Sequence, residues 1–320
     1  MLTLTSYPEL SLELQAVQEK IQTAVSEAAD DIRVPLGTLI NETGKMLRPA
    51  FLILSSHFGT FEREKMITLA SAIEILHMAT LVHDDVIDRS RVRRGLPTLH
   101  TVYGEKNAVI MGDYLFSRAF RLASDYAEKE NALSIAQVVS RICEGEMHQN
   151  VRRYNASVSK REYLRRIMGK TALLFLLCCH IGAEESSCDP EITMHLRRFG
   201  YNIGMGFQII DDILDLTARE EVLGKPVGTD IRDGVYTLPL IYAMQNDDGS
   251  LSHRLSRKRH SRSSVRRIIR DTERCGGIER ARKDAELYTV RALRECSLLP
   301  PCIFRDALEE AAKNLLKRSY

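Results

Sequence analysis

The chain has 320 residues, 44% hydrophobic and 28% charged, the proportions of an ordinary globular protein with a substantial core. Its net charge of +2 excludes a chain that holds polyanions through overall charge. The seven cysteines (Cys143, Cys178, Cys179, Cys188, Cys275, Cys296 and Cys302) are odd in number and form no C-x-x-C pair. That argues against a disulfide framework and a structural zinc site, and for a reduced, cytoplasmic setting.

The start, MLTLTSYPELSLELQ, lacks the basic opening and long apolar run of a signal peptide. The longest apolar stretch, Ala172 to Cys179, is too short to span a bilayer, so a soluble or at most membrane-peripheral protein is expected. The spacing of Leu12, Val17, Ile21 and Val25 predicts a first amphipathic helix. Leu69, Ala72, Ile73, Leu76, Ala79 and Thr80 predict an apolar face on a second segment. Ile192, Leu196, Phe199, Ile203, Phe207 and Ile210 predict another. Pro35, Pro49, Pro97, Pro190, Pro226 and Pro300–Pro301 read as helix boundaries. Strand signals are weak, and no Asn-Gly hairpin turn occurs. Arg254 to Arg270 holds eight Lys or Arg and no acid, and reads as a surface element. A single all-α domain over 1–320 is expected.

The pattern D-D-x-x-D occurs twice, at Asp84-Asp85-Val-Ile-Asp88 and Asp211-Asp212-Ile-Leu-Asp215, each after an apolar helical run. On a helix, i and i+4 share a face, so Asp84 aligns with Asp88 and Asp211 with Asp215. Carboxylates gathered at a helix C-terminus repel one another and the helix dipole. Mg²⁺ relieves that repulsion, because it prefers oxygen ligands and binds one or two carboxylates together with waters and substrate phosphates. A single copy would read more readily as a solvated acidic helix end. Two copies, each followed by a cationic segment, reverse that preference.

Those segments are Arg91-Val-Arg93-Arg94-Gly95-Leu-Pro97-Thr98 and Gly224-Lys225-Pro226-Val-Gly228-Thr-Asp230. Gly44-Lys45-Met-Leu-Arg48-Pro49 lies upstream. Arginine holds phosphate bidentately and lysine acts as a point charge. The order GKxLRP, DDxxD, RRGxPT, KT, FQxxDDxLD, GKPxGxD resembles that of the trans-polyprenyl diphosphate synthases, from about Gln18 to the C-terminus. HMATLVHDDVID, GDYLFSR, YLRRIMGKTALL, FQIIDDILD and LGKPVGTD are most similar to the large catalytic component of the heptaprenyl type.

The resemblance implies an all-α helical bundle of the isoprenoid synthase type with a central active-site cavity. It implies Mg²⁺, three ions bridging an allylic diphosphate, on Asp84, Asp85, Asp88 and Asp211, with help from Asp212 and Asp215. Arg93, Lys170 and Lys225 would contact that diphosphate. Lys45, Arg48, His77 and Arg94 would hold isopentenyl diphosphate, and Thr171 and Gln208 would line the reacting centre. His77 would serve binding, with the departing diphosphate as base. The sequence departs from the family pattern in two places: Thr43-Gly44-Lys45-Met46 lacks one glycine and one cation, and Tyr236 stands where many relatives place a lysine.

Four and five residues before Asp84, about 6–7.5 Å along a helix, are Thr80 and Ala79, whose small size points to a medium or long product of about C30–C35. A shorter-chain (farnesyl or geranylgeranyl) synthase is the nearest alternative. A terpene cyclase is disfavoured by the intact second motif, and a non-catalytic synthase subunit by the six retained aspartates. The heptaprenyl resemblance further implies a small partner component, although homodimeric relatives share the motifs. The basic segment is expected to bind no nucleic acid, and a greasy product leaves room for peripheral membrane contact.

Overall fold

A computed structural model describes residues 7–41, 44–218 and 227–316. Among them the only strands are Val92–Arg93 and Leu96–Pro97, a two-stranded antiparallel ladder; the rest is helices and connections. The chain divides into two compact units. The first comprises Met1–Ala136, Phe175–Gly200 and Glu295–Ala311; the second comprises Gln137–Leu174, Tyr201–Arg294 and Ala312–Tyr320.

The first unit is built on the Arg63–Ile87 helix, packed by the Pro8–Ser26, Leu47–Ser56 and Glu105–Ser124 helices. Residues 66 to 76 are buried without a break, so this helix has no polar face there and serves as a core rod. The predicted stripe from Leu69 to Ala79 is thus only part of what it buries, and Thr80 is half-buried. Gly112 brings the neighbouring helix close: a Cβ there would lie 2.2 Å from His83 Nε2. Phe51 makes edge-on contacts with Phe175 and Phe199 at 5.6 and 5.9 Å.

Two expectations on this unit are corrected. In the first helix Leu12 is 63% exposed, while Leu10 is buried with Val17, Ile21, Ala24 and Val25. Leu10 and Val17 lie seven residues apart, nearly two whole turns, so Leu10 takes the inward position. Pro35 is not a boundary but lies inside the Asp30–Asn41 helix. Leu36 and Ile40 are buried at 0% and 2% exposure, and their burial holds the helix together past the missing N–H.

In the second unit one core gathers Tyr163, Ile167, Ile209, Ile210, Ile213 and Leu238 with their neighbours. Another gathers Leu216, Ile231, Tyr236, Leu240, Val265 and Ile268 with theirs. The Lys160–Ile167 helix opens on a capping box, in which Ser159 Oγ accepts from the Glu162 N–H at 3.2 Å and Glu162 accepts from the Ser159 N–H at 2.9 Å. It runs into a π-helical turn, Met168–Ala172. Gly169 sits in that turn, where a Cβ would be 3.2 Å from the Arg141 carbonyl, so a bare residue permits the approach. The helical stretches 63–87 and 160–184 are apolar and long enough to cross a bilayer by composition, but 78% and 67% of their most apolar windows are buried in protein.

Candidate active site

The first acidic motif occupies the last turn of the Arg63–Ile87 helix, and Asp88 is its C-cap. Asp85 is 7% exposed; Asp84 and Asp88 are half-buried. The chain then turns through the short ladder. Its two-residue turn, Arg94-Gly95, has φ of 51° and 85°, the left-handed pair that a tight hairpin needs. Glycine adopts this freely and arginine does not. The ladder returns Arg93 to the helix end, where its guanidinium grips Asp85 with Nε at 2.9 and 3.0 Å and a terminal nitrogen at 2.8 Å. Arg94 packs over Gly44, where a Cβ would lie 2.4 Å from its guanidinium.

Beside this pair is a cavity of about 220 Å³ lined by Gly44, Glu74, His77, Asp85, Arg93 and Arg94, among others. His77 is held well below the usual histidine range, first by burial and then by Arg48, Arg93 and Arg94, so at neutral pH its ring is uncharged. Burial pushes the Glu74 carboxyl up, while Arg48 and Arg94 pull it down. Arg48 also lies 4.9 Å from the Phe175 ring centroid. Lys45 is exposed. Met46, where the family pattern has a cation, is buried at 8% exposure. Ala79 is fully buried and Thr80 half-buried with its hydroxyl on the His77 carbonyl at 2.7 Å. Thr80 shares the helix stripe of Asp84; Ala79, five residues back, is rotated away from it by about 140°.

The second motif lies in the last turns of the Pro190–Thr217 helix, within the second unit. Asp212 accepts from the Tyr163 hydroxyl at 2.6 Å and from Gln208 Nε2 at 2.8 Å; Gln208 Oε1 in turn accepts from Thr171 at 2.6 Å. Asp215, 4% exposed, accepts from the Asp230 N–H at 3.3 Å. Asp211 is half-buried. The π turn carries Lys170 and Thr171, and Lys170 pairs with Glu146 at 2.6 Å. Such turns recur at functional sites because they re-aim side chains. Lys225 lies outside the described residues.

Tyr236, the residue in the lysine position, is 2% exposed and donates its hydroxyl to the Leu255 carbonyl. It is therefore a core residue and brings no cation. Sequence reasoning missed Glu74, Glu146 and Tyr163. Glu74 did leave a signal, a lone acid inside the apolar run Ala70 to Met78. Tyr163, 49 residues from Asp212, left none.

The Polyprenyl synthetase family profile matches residues 29–272. The chain belongs to the polyprenyl synthetase family. It is 37% identical over 88% of its length, and 81% of the relative's, to "Heptaprenyl diphosphate synthase component 2" of Bacillus subtilis. The same component from Geobacillus stearothermophilus is 35% identical over 98% of both chains. "Geranylgeranyl diphosphate synthase" of Methanosarcina mazei is 33% identical over 88% of each, so family likeness alone does not fix product length. Among solved structures, heptaprenyl diphosphate synthase from Staphylococcus aureus matches with a TM-score of 0.93, 33% identity, and 97% and 98% coverage. A polyprenyl synthase from Caulobacter crescentus, complexed with calcium and isoprenyl diphosphate, matches with a TM-score of 0.92, 31% identity, and 96% and 95% coverage. The polyprenyl synthetase is thus a prenyltransferase with the all-α isoprenoid synthase fold, and the family is Mg²⁺-dependent.

The residues present suit Mg²⁺. Both motifs offer hard carboxylate oxygens, which this ion prefers. Burial, and then the charge of Asp230, push the Asp212 carboxyl up to about 7, a shift that a nearby cation would reverse. Among the described residues no three His, Cys, Asp or Glu side chains are gathered as a ready metal cluster.

Proposed function

We propose that this polyprenyl synthetase is the catalytic subunit that extends farnesyl diphosphate with successive isopentenyl diphosphates to heptaprenyl length. The observation that carries the reading is the cavity of the first unit, where an acidic-motif carboxylate, two arginines and an uncharged histidine meet. Its length assignment is supported by the two component 2 relatives and by the small Ala79 and Thr80.

In this reading Asp84, Asp85, Asp88 and Asp211, aided by Asp212 and Asp215, hold Mg²⁺, three ions in all. When bound, Mg²⁺ supplies positive charge that stabilises the diphosphate as its bond to the allylic carbon breaks. Arg93, Lys170 and Lys225 hold that diphosphate, and the electron pair of the broken C–O bond stays on it. Lys45, Arg48, His77 and Arg94 hold isopentenyl diphosphate, whose double-bond electrons form the new C–C bond. The proton lost from the adjacent carbon goes to the departed diphosphate. His77 is a poor candidate for that proton, because burial among arginines disfavours its charged form. Thr171 and Gln208, joined by their hydrogen bond, line the reacting centre. We further assign residues 1–320 to one catalytic domain, working in the cytoplasm with a small partner component.

The test is incubation with farnesyl diphosphate, Mg²⁺ and labelled isopentenyl diphosphate, with and without a small partner fraction, followed by chain-length analysis. A C35 product is expected, increased by the partner. Failure to elongate under either condition sinks the proposal, and a shorter ladder corrects its length.

A further inference from the structure

The basic segment supplies no residue to the proposed reaction. Setting its eight Lys and Arg aside, the other 37 face 43 Asp and Glu, so the rest of the chain is acidic by six charges. The segment occupies the Ser250–Leu255 helix, a short connection, and the Arg262–Arg274 helix. Arg254 is half-buried and pairs with Asp271 at 2.8 Å. The other seven cations are exposed, and none forms an ion pair with a described residue.

The Arg262–Arg274 helix turns Val265, Ile268 and Thr272 inward. Arg262, Arg266, Arg270 and Arg274 follow one another at i, i+4 steps, an exposed row about 18 Å long, and the first three border a concavity shared with Leu216, Val227 and Arg232. Like charges at this spacing repel one another. Arg262 also stands in the first turn, where the helix dipole disfavours a cation. Asp271 pairs with Arg254 and Arg274, which leaves Arg262, Arg266 and Arg270 without an ion-pair partner among the described residues. Such an arrangement is relieved by an external surface of negative charge.

We propose that this face docks the protein on an anionic phospholipid membrane. A segment of four to eight Lys or Arg on an amphipathic helix is the electrostatic signature of such docking. The acidic remainder of the chain is repelled by the same surface, so only this face is drawn to it. Nucleic acid is the less fitting partner, because Arg254–Arg270 holds no Phe, Tyr or Trp on which a base would stack. The choice of a membrane also rests on the proposed reaction, whose hydrocarbon product needs an apolar sink.

The test uses the full chain without substrates, so it stands apart from any failure of the prenyl-transfer reading. Co-sedimentation is measured with phosphatidylcholine vesicles, with and without phosphatidylglycerol. Salt is set at about 0.1 M and about 1 M, where the Debye length falls from about 10 Å to about 3 Å. Binding is expected only to the phosphatidylglycerol vesicles at low salt. R262Q/R266Q/R270Q should weaken it about a hundredfold. R262K/R266K/R270K should retain it, as should K106Q/R121Q/K129Q, which removes three exposed charges from the first unit. Equal binding to pure phosphatidylcholine overturns the proposal. So does an undiminished Gln triple variant, an equal loss in the first-unit variant, or tighter binding to a single-stranded oligonucleotide in the same buffer.

Discussion

At the residue scale the sharpest case is Glu74, a carboxylate 6% exposed among Arg48, Arg94 and His77. One of its oxygens is buried without a hydrogen-bond partner among the described residues. Its charge balances the two arginines that we assign to isopentenyl diphosphate. Glu74→Gln leaves their charge unopposed and should therefore lower the KM for isopentenyl diphosphate about tenfold, equivalent to 1.4 kcal/mol, while the KM for the allylic substrate stays put. The carboxyl is pushed up because burial outweighs the arginines, so removing its charge should not lower the melting temperature. A lower melting temperature with an unchanged KM would mean that Glu74 is structural only.

His77 gives a pH test at the same scale. Its folded pKa is depressed below 6.5, so the unfolded chain takes up a proton that the folded chain refuses. The resulting stability is complete above pH 6.5 and is lost as pH falls toward the folded value. His77→Gln should remove up to about 1.4 kcal/mol per pH unit from the acid-side slope, read from urea melts at pH 7.0 and 5.5. Parallel slopes in the two proteins would show that His77 titrates normally. The six aspartates stand out in the sequence because the motif repeats. Tyr163 and Glu146 do not, since only folding brings them to Asp212 and Lys170.

At the element scale the two small residues proposed to set product length are not equivalent. Thr80 lies on the stripe of Asp84 and is half-buried, whereas Ala79 is turned away and has no exposed surface. Phenylalanine at Ala79 must displace core neighbours, at a cost of about 1–3 kcal/mol. Thr80→Phe is the cleaner probe, expected to shorten the product with a smaller loss of stability than Ala79→Phe. If both variants make the wild-type ladder, the wall lies elsewhere. Sequence spacing placed both residues one turn or so below Asp84, which is correct along the axis, but distance along a helix does not give rotation about it. The Val92–Pro97 ladder escaped the strand search for a related reason. Two residues per strand are too few to show alternation, and its turn uses Arg94-Gly95 in place of Asn-Gly.

At the scale of the whole molecule, the order of motifs along the chain was legible and the division into two units was not. No linker marks the division. The Lys129–Val151 and Pro190–Thr217 helices each contribute residues to both units, so composition stays uniform through the boundaries. One acidic motif falls in each unit, and neither is a ready metal cluster among the described residues. Because Mg²⁺ takes only one or two carboxylates and fills its other positions with water and phosphate, in the proposed reading the ion and the diphosphate complete one another's partners. Each should bind weakly alone and tightly with the other. A ligand that binds only the folded state stabilises it by RT ln(1 + [L]/Kd), about 2.7 kcal/mol at a hundredfold excess over Kd. Thermal melts with Mg²⁺ alone, inorganic diphosphate alone, and both should thus show a joint shift larger than the sum of the two. A chelator should abolish the joint shift together with turnover. If Mg²⁺ alone gives the full shift, the aspartates form a complete site without substrate, and the coupling of ion to diphosphate argued here is wrong.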